Sequence, residues 1–204
     1  LPERVVQQEI YAMFLDDAGG VFRRVIEAAT AKEQTGAIEG HQYIAAADIA
    51  SLVDFTVVIV MDVTTGEMVY IDRFNRVDYE VLEDRLAATY NRFKLDIMTI
   101  EDNSIGKGVI DHLRNRGLAI NTFTTTNAMK HAAVTGLQSA FEHGRIKILN
   151  DPILIGELQA FESKRNSSGT FSYSAPESMH DDCVMALAIA WDGISGGPFI
   201  LFGG

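Results

Sequence analysis

The chain has 204 residues, a formal net charge of -11, 47% apolar residues and one cysteine. That length suits one domain, or one domain with an appendage, and the apolar share excludes a disordered chain. The acidic balance argues against a non-specific nucleic-acid binder with a basic stripe. The lone Cys183 excludes an internal disulfide and points to a reducing compartment, and no apolar run approaches the about 20 residues that cross a bilayer.

The chain opens with Leu1 and not Met, which suggests a fragment or a processed product. Residues 3 to 15 read as a short amphipathic helix with Val6, Ile10, Met13 and Phe14 on one side. Asp17-Ala-Gly-Gly20 breaks it, and Val21 to about Lys32 is a second helical or irregular piece. Thr35 to Gly40 reads as a linker, so a domain boundary is expected there.

Three strands follow, at about 42–50, 55–63 and 67–74. Thr64-Thr-Gly66 forms the turn between the last two, and strands joined this closely are expected to be antiparallel neighbours. Asp78 caps a helix whose apolar positions are Tyr79, Leu82, Leu86, Tyr90 and Phe93, at helical spacing. A buried strand from Asp96 to Ile100 ends at Glu101. The next helix runs from about Gly106 to Arg116 and is stopped by Gly117.

Leu118 to Phe123 is a further strand, and Asn127 is expected to cap a helix to about His143. Ile146 to Leu149 reads as a short strand. Asp151-Pro152 starts another helix, with proline at its first position and Leu154, Leu158 and Phe161 buried. Lys164 to Tyr173 reads as a hairpin with a polar tip. The last helix, expected from Met179 to about Asp192 with Ser178 as cap, is apolar on most faces and therefore buried. The tail from Ser195 to Gly204 reads equally as a strand, a docking peptide or an expression scar.

The order predicts an α/β fold: a mixed central sheet of three antiparallel strands followed by parallel ones, flanked by helices, with a β-hairpin before the last helix. If the fourth strand lies beside the first, Asp48 and Glu101 come together. Asp48 interrupts an otherwise apolar strand, where an unpaired carboxylate is costly. Glu101 stands at the carboxyl edge of a strand, where ligand sites in open sheets gather. Asp181 and Asp182 fall in the expected first turn of the last helix, where the helix dipole favours anions. Taken singly, Asp48 already points to a function because its strand is otherwise apolar, Glu101 reads either way, and Asp181 and Asp182 read as ordinary first-turn acids; their coincidence shifts the balance. Hard oxygen donors without partner cysteines suit Mg2+ or Mn2+, and such a cluster can hold two ions about 3.5–4 Å apart.

Asp54 reads as a turn residue or a further ligand, His180 as a supporting group and Cys183 as a buried helix residue. Gly106-Lys107 fails as a phosphate loop, because Glu101 and Gly108 stand where glycine and a hydroxyl residue are needed. No Gly-x-Ser-x-Gly elbow is present.

These residues also carry a family likeness. Asp48 in its hydrophobic strand with the following Asp54-Phe-Thr-Val, then Ile100-Glu-Asp-Asn-Ser-Ile-Gly106, then His180-Asp-Asp-Cys-Val-Met-Ala-Leu-Ala-Ile-Ala190, resemble the nuclease domain of the large terminase subunit. That subunit is the DNA-packaging motor of tailed phages, and its nuclease has an RNase H-like, RuvC-like fold. The likeness covers roughly residues 40 to 193, and the His-Asp-Asp helix is its most specific part. The opening, from Gln8-Glu9 to Phe22, resembles the segment that leaves the family's ATPase domain. The expected division is 1–36 for that segment and linker, and 37–204 for the nuclease.

The resemblance implies Asp48, Glu101 and Asp181 as catalytic metal ligands, Asp182 as an additional or alternative one, and Asp54, Asn103 and His180 as support. It favours Glu101 over the neighbouring Asp102, by its offset from Gly106. It implies Mg2+- or Mn2+-dependent, largely sequence-independent cleavage of concatemeric double-stranded DNA in the cytoplasm of an infected bacterium, at a procapsid. The implied partners are DNA, an ATPase domain of the same polypeptide, the portal and the small terminase subunit, with no membrane. DNA would be gripped through phosphates by Lys130, Arg145, Lys147, Lys164 and Arg165, concentrated locally against the acidic total. The same residues also suit another RNase H-like phosphodiesterase, such as a Holliday-junction resolvase or an exonuclease. A non-catalytic docking domain is the reading from a different class.

Overall fold

The structure, a computed structural model, describes residues 20–50, 55–102, 105–165, 171–176 and 180–195. The expected helix over 3–15, the Ser178 cap, the site candidates Asp54 and Asn103, and the tail lie outside the described residues. A five-stranded sheet has the order β3-β2-β1-β4-β5. Its strands are β1 (Tyr43–Asp48), β2 (Thr56–Asp62), β3 (Glu67–Phe74), β4 (Ile97–Glu101) and β5 (Ile120–Phe123). The β1–β2 and β2–β3 pairs are antiparallel, while β1–β4 and β4–β5 are parallel. The mixed sheet is the one the sequence predicts.

Covered faces explain the strand sequences. Every residue of β2 is buried, and β1 is buried from Tyr43 to Ala47. Strands covered on both faces read as continuous apolar runs. Alanine is a poor strand former, yet Ala45, Ala46 and Ala47 sit at the centre of the sheet. Their small side chains let helices come close on both sides.

One face carries α4 (Asn127–Glu142), α5 (Pro152–Ala160) and α6 (Asp182–Ser195), packed on Ile44, Ala46, Val57, Ile59 and Met61. The other carries α2 (Tyr79–Phe93) and α3 (Gly106–Asn115), packed on Ala45, Ala47, Val58 and Val60. The short helix α1 (Val25–Ala28) joins the first face, through Val21, Phe22 and Val25. Val21 N–H donates to the Phe161 carbonyl, and Ala31 N–H to that of Ile148.

Local signals account for most boundaries. Asp78 accepts the Val81 N–H at 2.9 Å and starts α2. Asp151 accepts the N–H groups of Ile153 and Leu154, with Pro152 next, and starts α5. The β2–β3 turn is fixed by the fully buried Asp62, which accepts from Thr64 and Thr65 N–H and bonds His41 Nδ1 at 2.6 Å. Gly66 in that turn has φ +71°, and a Cβ there would meet the Arg145 carbonyl at 3.0 Å. The hairpin is present as β6 (Glu162–Arg165) against β7 (Phe171–Ser174).

Four expectations need correction. Residues 146–149 form no strand and only two isolated bridges, Lys147 to Glu67 and Leu149 to Ala31. Thr126, one residue before Asn127, caps α4 by accepting the Met129 N–H. Tyr79, in the first turn of α2, is exposed, and Leu82, Leu86 and Phe93 carry the contact. The last helix begins at Asp182, three residues later than expected, and runs on to Ser195.

Candidate metal centre

The parallel pairing of β1 with β4 matches Ala47 to Ile100, so Asp48 stands beside Glu101 where both strands end. Glu101 pairs in turn with Phe123, and Asp48 with Val57. Val57 and Phe123 face α6, and paired residues share a face, so both acids point to that side. There the two carboxyl groups are hydrogen-bonded to each other.

The N-terminus of α6 closes the site. The Asp181 carbonyl accepts the Met185 N–H, so Asp181 immediately precedes the helix that Asp182 opens. Burial, the bond to Glu101, and the charges of Glu101, Asp182 and Asp181 push the Asp48 carboxyl up from 3.8 to about 9. Near neutral pH this pair therefore holds a proton between two oxygens. Lys130, in the first turn of α4, places Nζ 3.3 Å from Asp181 Oδ2. His180 Nδ1 lies 3.7 Å from Asp182 Oδ2.

Two contacts at the site have no signal in the local sequence. Thr125, just past β5, donates its hydroxyl to Glu101 Oε1. Glu157 on α5 is buried and accepts the Cys183 N–H at 2.8 Å, so a distant carboxylate caps α6. Its other oxygen, Oε1, is buried without a hydrogen-bond partner. Only the folded arrangement of α5 against α6 reveals this cap. Cys183 is buried, and its thiol is pushed up by burial and by Glu157, which makes it inert.

Asp102 turns away from the pair, with Oδ1 3.9 Å from Lys107 Nζ. The expected DNA-binding cations divide between the two ends of the sheet. Lys130 is at the acids, and β6, which holds Lys164 and Arg165, is paired with β7 beside α4. Lys147 bonds Glu67 at 2.8 Å, and Arg145 bonds Ser139. Glu67 pairs with Asp62, which pairs with Tyr43, so Lys147 lies at the far end of β1. At about 3.3 Å per residue, five residues of strand separate that end from Asp48.

The donor set fits a hard divalent cation: carboxylate oxygens, with a protonated pair where a positive charge would replace the proton. Among the described residues, no three His, Cys, Asp or Glu side chains form a ready-made ligand cage. Asp48 and Glu101 are bonded to each other and Asp181 to Lys130, so each acid has a substitute for a cation.

The family described as Terminase RNaseH-like domain matches residues 45–192. The large terminase subunit of Thermus virus P23-45 is 26% identical over 157 residues, which cover 76% of this chain and 32% of that protein. This chain thus spans about a third of the length of the curated relatives it matches. Among solved structures, the large terminase nuclease of the thermophilic phage G20c with bound cobalt superposes with a TM-score of 0.76 at 23% identity, covering 85% of this chain and 97% of that one. The same nuclease with bound magnesium gives a TM-score of 0.72 at 22% identity, covering 89% and 96%.

Proposed function

Because this chain belongs to the terminase RNase H-like domain family, we propose that it is a divalent-metal-dependent endodeoxyribonuclease. Its substrate is concatemeric double-stranded DNA, cut with little sequence preference during genome packaging. The observation that carries this reading is the bonded Asp48–Glu101 pair at the carboxyl end of the sheet, facing Asp181 and Asp182 across the start of α6. The ATPase domain, portal and small subunit belong to the whole motor, of which this chain is the cutting part.

Asp48, Glu101, Asp181 and Asp182 would hold Mg2+ or Mn2+, as a pair of ions. When bound, such ions lower the pKa of water and offset charge on a phosphoryl group and its leaving oxygen. The chain supplies the rest. The sheet fixes Asp48 and Glu101 side by side, and Thr125 orients Glu101. Glu157 fastens the helix end that presents Asp182. With a cation on Asp181, Lys130, now 3.3 Å from that acid, would be free to meet a DNA phosphate. The β6–β7 hairpin, anchored by Tyr173 against Phe161 and His131, would offer Lys164 along the duplex.

Plasmid nicking tests this reading. The purified chain should nick supercoiled DNA with Mn2+ or Mg2+, stop with chelator, and lose activity in Asp48→Asn and Asp181→Asn. Undiminished cutting by both variants would sink it. Linear and four-way-junction DNAs, run alongside, separate a packaging nuclease from an exonuclease or a junction resolvase.

A further inference from the structure

We propose that Arg73 is a DNA-contacting residue of this site, holding a backbone phosphate next to the one that is cut. The inference rests on the nuclease reading above and adds a residue to it. The sheet places Arg73 in line with the acids. Asp48 pairs with Val57, and Val57 with Arg73, so Glu101, Asp48, Val57 and Arg73 form one row across four strands, on the α6 face. Two strand spacings, about 10 Å, separate Arg73 from Asp48, near the reach of an arginine side chain. β3 is an edge strand, so no further strand continues the row beyond Arg73 among the described residues.

The guanidinium is held on an aromatic ring, with no ion pair among the described residues. Its central carbon lies 3.3 Å from the centre of the Phe55 ring. Phe55 in turn meets His180 edge-on at 6.0 Å, and His180 stands beside Asp182. Arg73 therefore lies on a stack that leads to the acid-bearing end of α6. Its charge also reaches Cys183 in the first turn of that helix. Arg73 forms no ion pair with a described carboxylate, in contrast to Arg85 with Asp72 and Arg116 with Asp84. Its Nε is buried without a hydrogen-bond partner, and a buried donor left unmet is costly. An arginine fixed on an aromatic face, with no described carboxylate on its guanidinium, suits a phosphate contact through its terminal nitrogens.

The contact has a signature that a merely structural arginine lacks. Each phosphate contact adds about 0.9 to the slope of log affinity against log salt. The test measures anisotropy of a labelled 30-base-pair duplex with Ca2+ across a salt series, and Mn2+ binding by calorimetry. Arg73→Gln should lower the slope by about 0.9 and weaken binding roughly three- to tenfold at low salt, with Mn2+ affinity unchanged. Arg73→Lys should keep the slope, because the charge remains, yet bind more weakly because the fork is lost. A wild-type slope in Arg73→Gln, with cutting by the wild type intact, overturns the arginine assignment alone. Loss of Mn2+ binding in both variants overturns it too, by making Arg73 a structural pin. A wild-type chain that neither binds nor nicks duplex DNA overturns the nuclease reading and this contact with it.

Discussion

Asp48 and Glu101 meet as a hydrogen-bonded carboxyl pair across two parallel strands, and the fold raises the Asp48 carboxyl from 3.8 to about 9. The folded chain therefore keeps a proton there that the unfolded chain releases. The stability from that protonation is complete below 3.8 and is lost as pH rises toward about 9. In chelator, the melting temperature should fall as pH rises from 5 to 9. Asp48→Asn should flatten that slope and melt higher than wild type at pH 8, with roughly 2–4 °C for each kcal/mol recovered. A parallel pH profile in the variant would contradict the pairing.

Ligation needs the deprotonated form, so ion binding must expel the shared proton. Calorimetric titration with Mn2+ at pH 7, in buffers of different ionisation enthalpy, should show release of about one proton per chain. Mn2+ affinity should rise with pH toward 9. Buffer-independent heats would show that the pair is already ionised.

Lys130 neutralises Asp181 in the absence of metal, at 3.3 Å and partly buried. Lys130→Met should tighten Mn2+ binding about threefold to tenfold, the equivalent of roughly 1 kcal/mol. The same variant should weaken duplex binding, so nicking at saturating Mn2+ should fall. If Mn2+ binding weakens instead, Lys130 supports the acid and does not compete with the ion.

Glu157→Ala leaves the Cys183 N–H without its acceptor at a buried helix start. The expected cost in urea unfolding is about 1–3 kcal/mol. Glu157→Gln keeps an acceptor and removes a buried charge, so it should unfold close to wild type. Nicking should follow the same order, because Asp182 opens the helix that Glu157 holds.

The central architecture was legible because its signals are local. A Val-rich run marks β2, the Thr64-Thr-Gly66 turn leads into β3, and Asp78 and Asp151 announce α2 and α5 through their own hydrogen bonds. The meeting of Asp48 with Glu101 was legible too, since a helical crossover forces β4 parallel to β1. What stayed hidden depended on tertiary placement. Lys147 is basic and near α4 in sequence, but nothing local says that it sits at the end of the sheet opposite Asp48. Arg73 looks like an ordinary strand residue until the β2–β3 register puts it in line with Asp48. The pattern over 146–149 is apolar enough for a strand, but Ile146, Ile148 and Leu149 are buried while only single bridges, to Glu67 of β3 and to Ala31, hold the segment.

Helix α6 is buried on all sides from Cys183 to Trp191, with Ala186, Ala188 and Ala190 wedged between the sheet and α4. Such a rod has no slack. An extra methylene at Ala188 could only be accommodated by sliding or tilting the whole element, and its leading end carries Asp182. Some inactivating substitutions should therefore be found nearly two turns from the acids of the site, in side chains that touch neither ion nor nucleic acid.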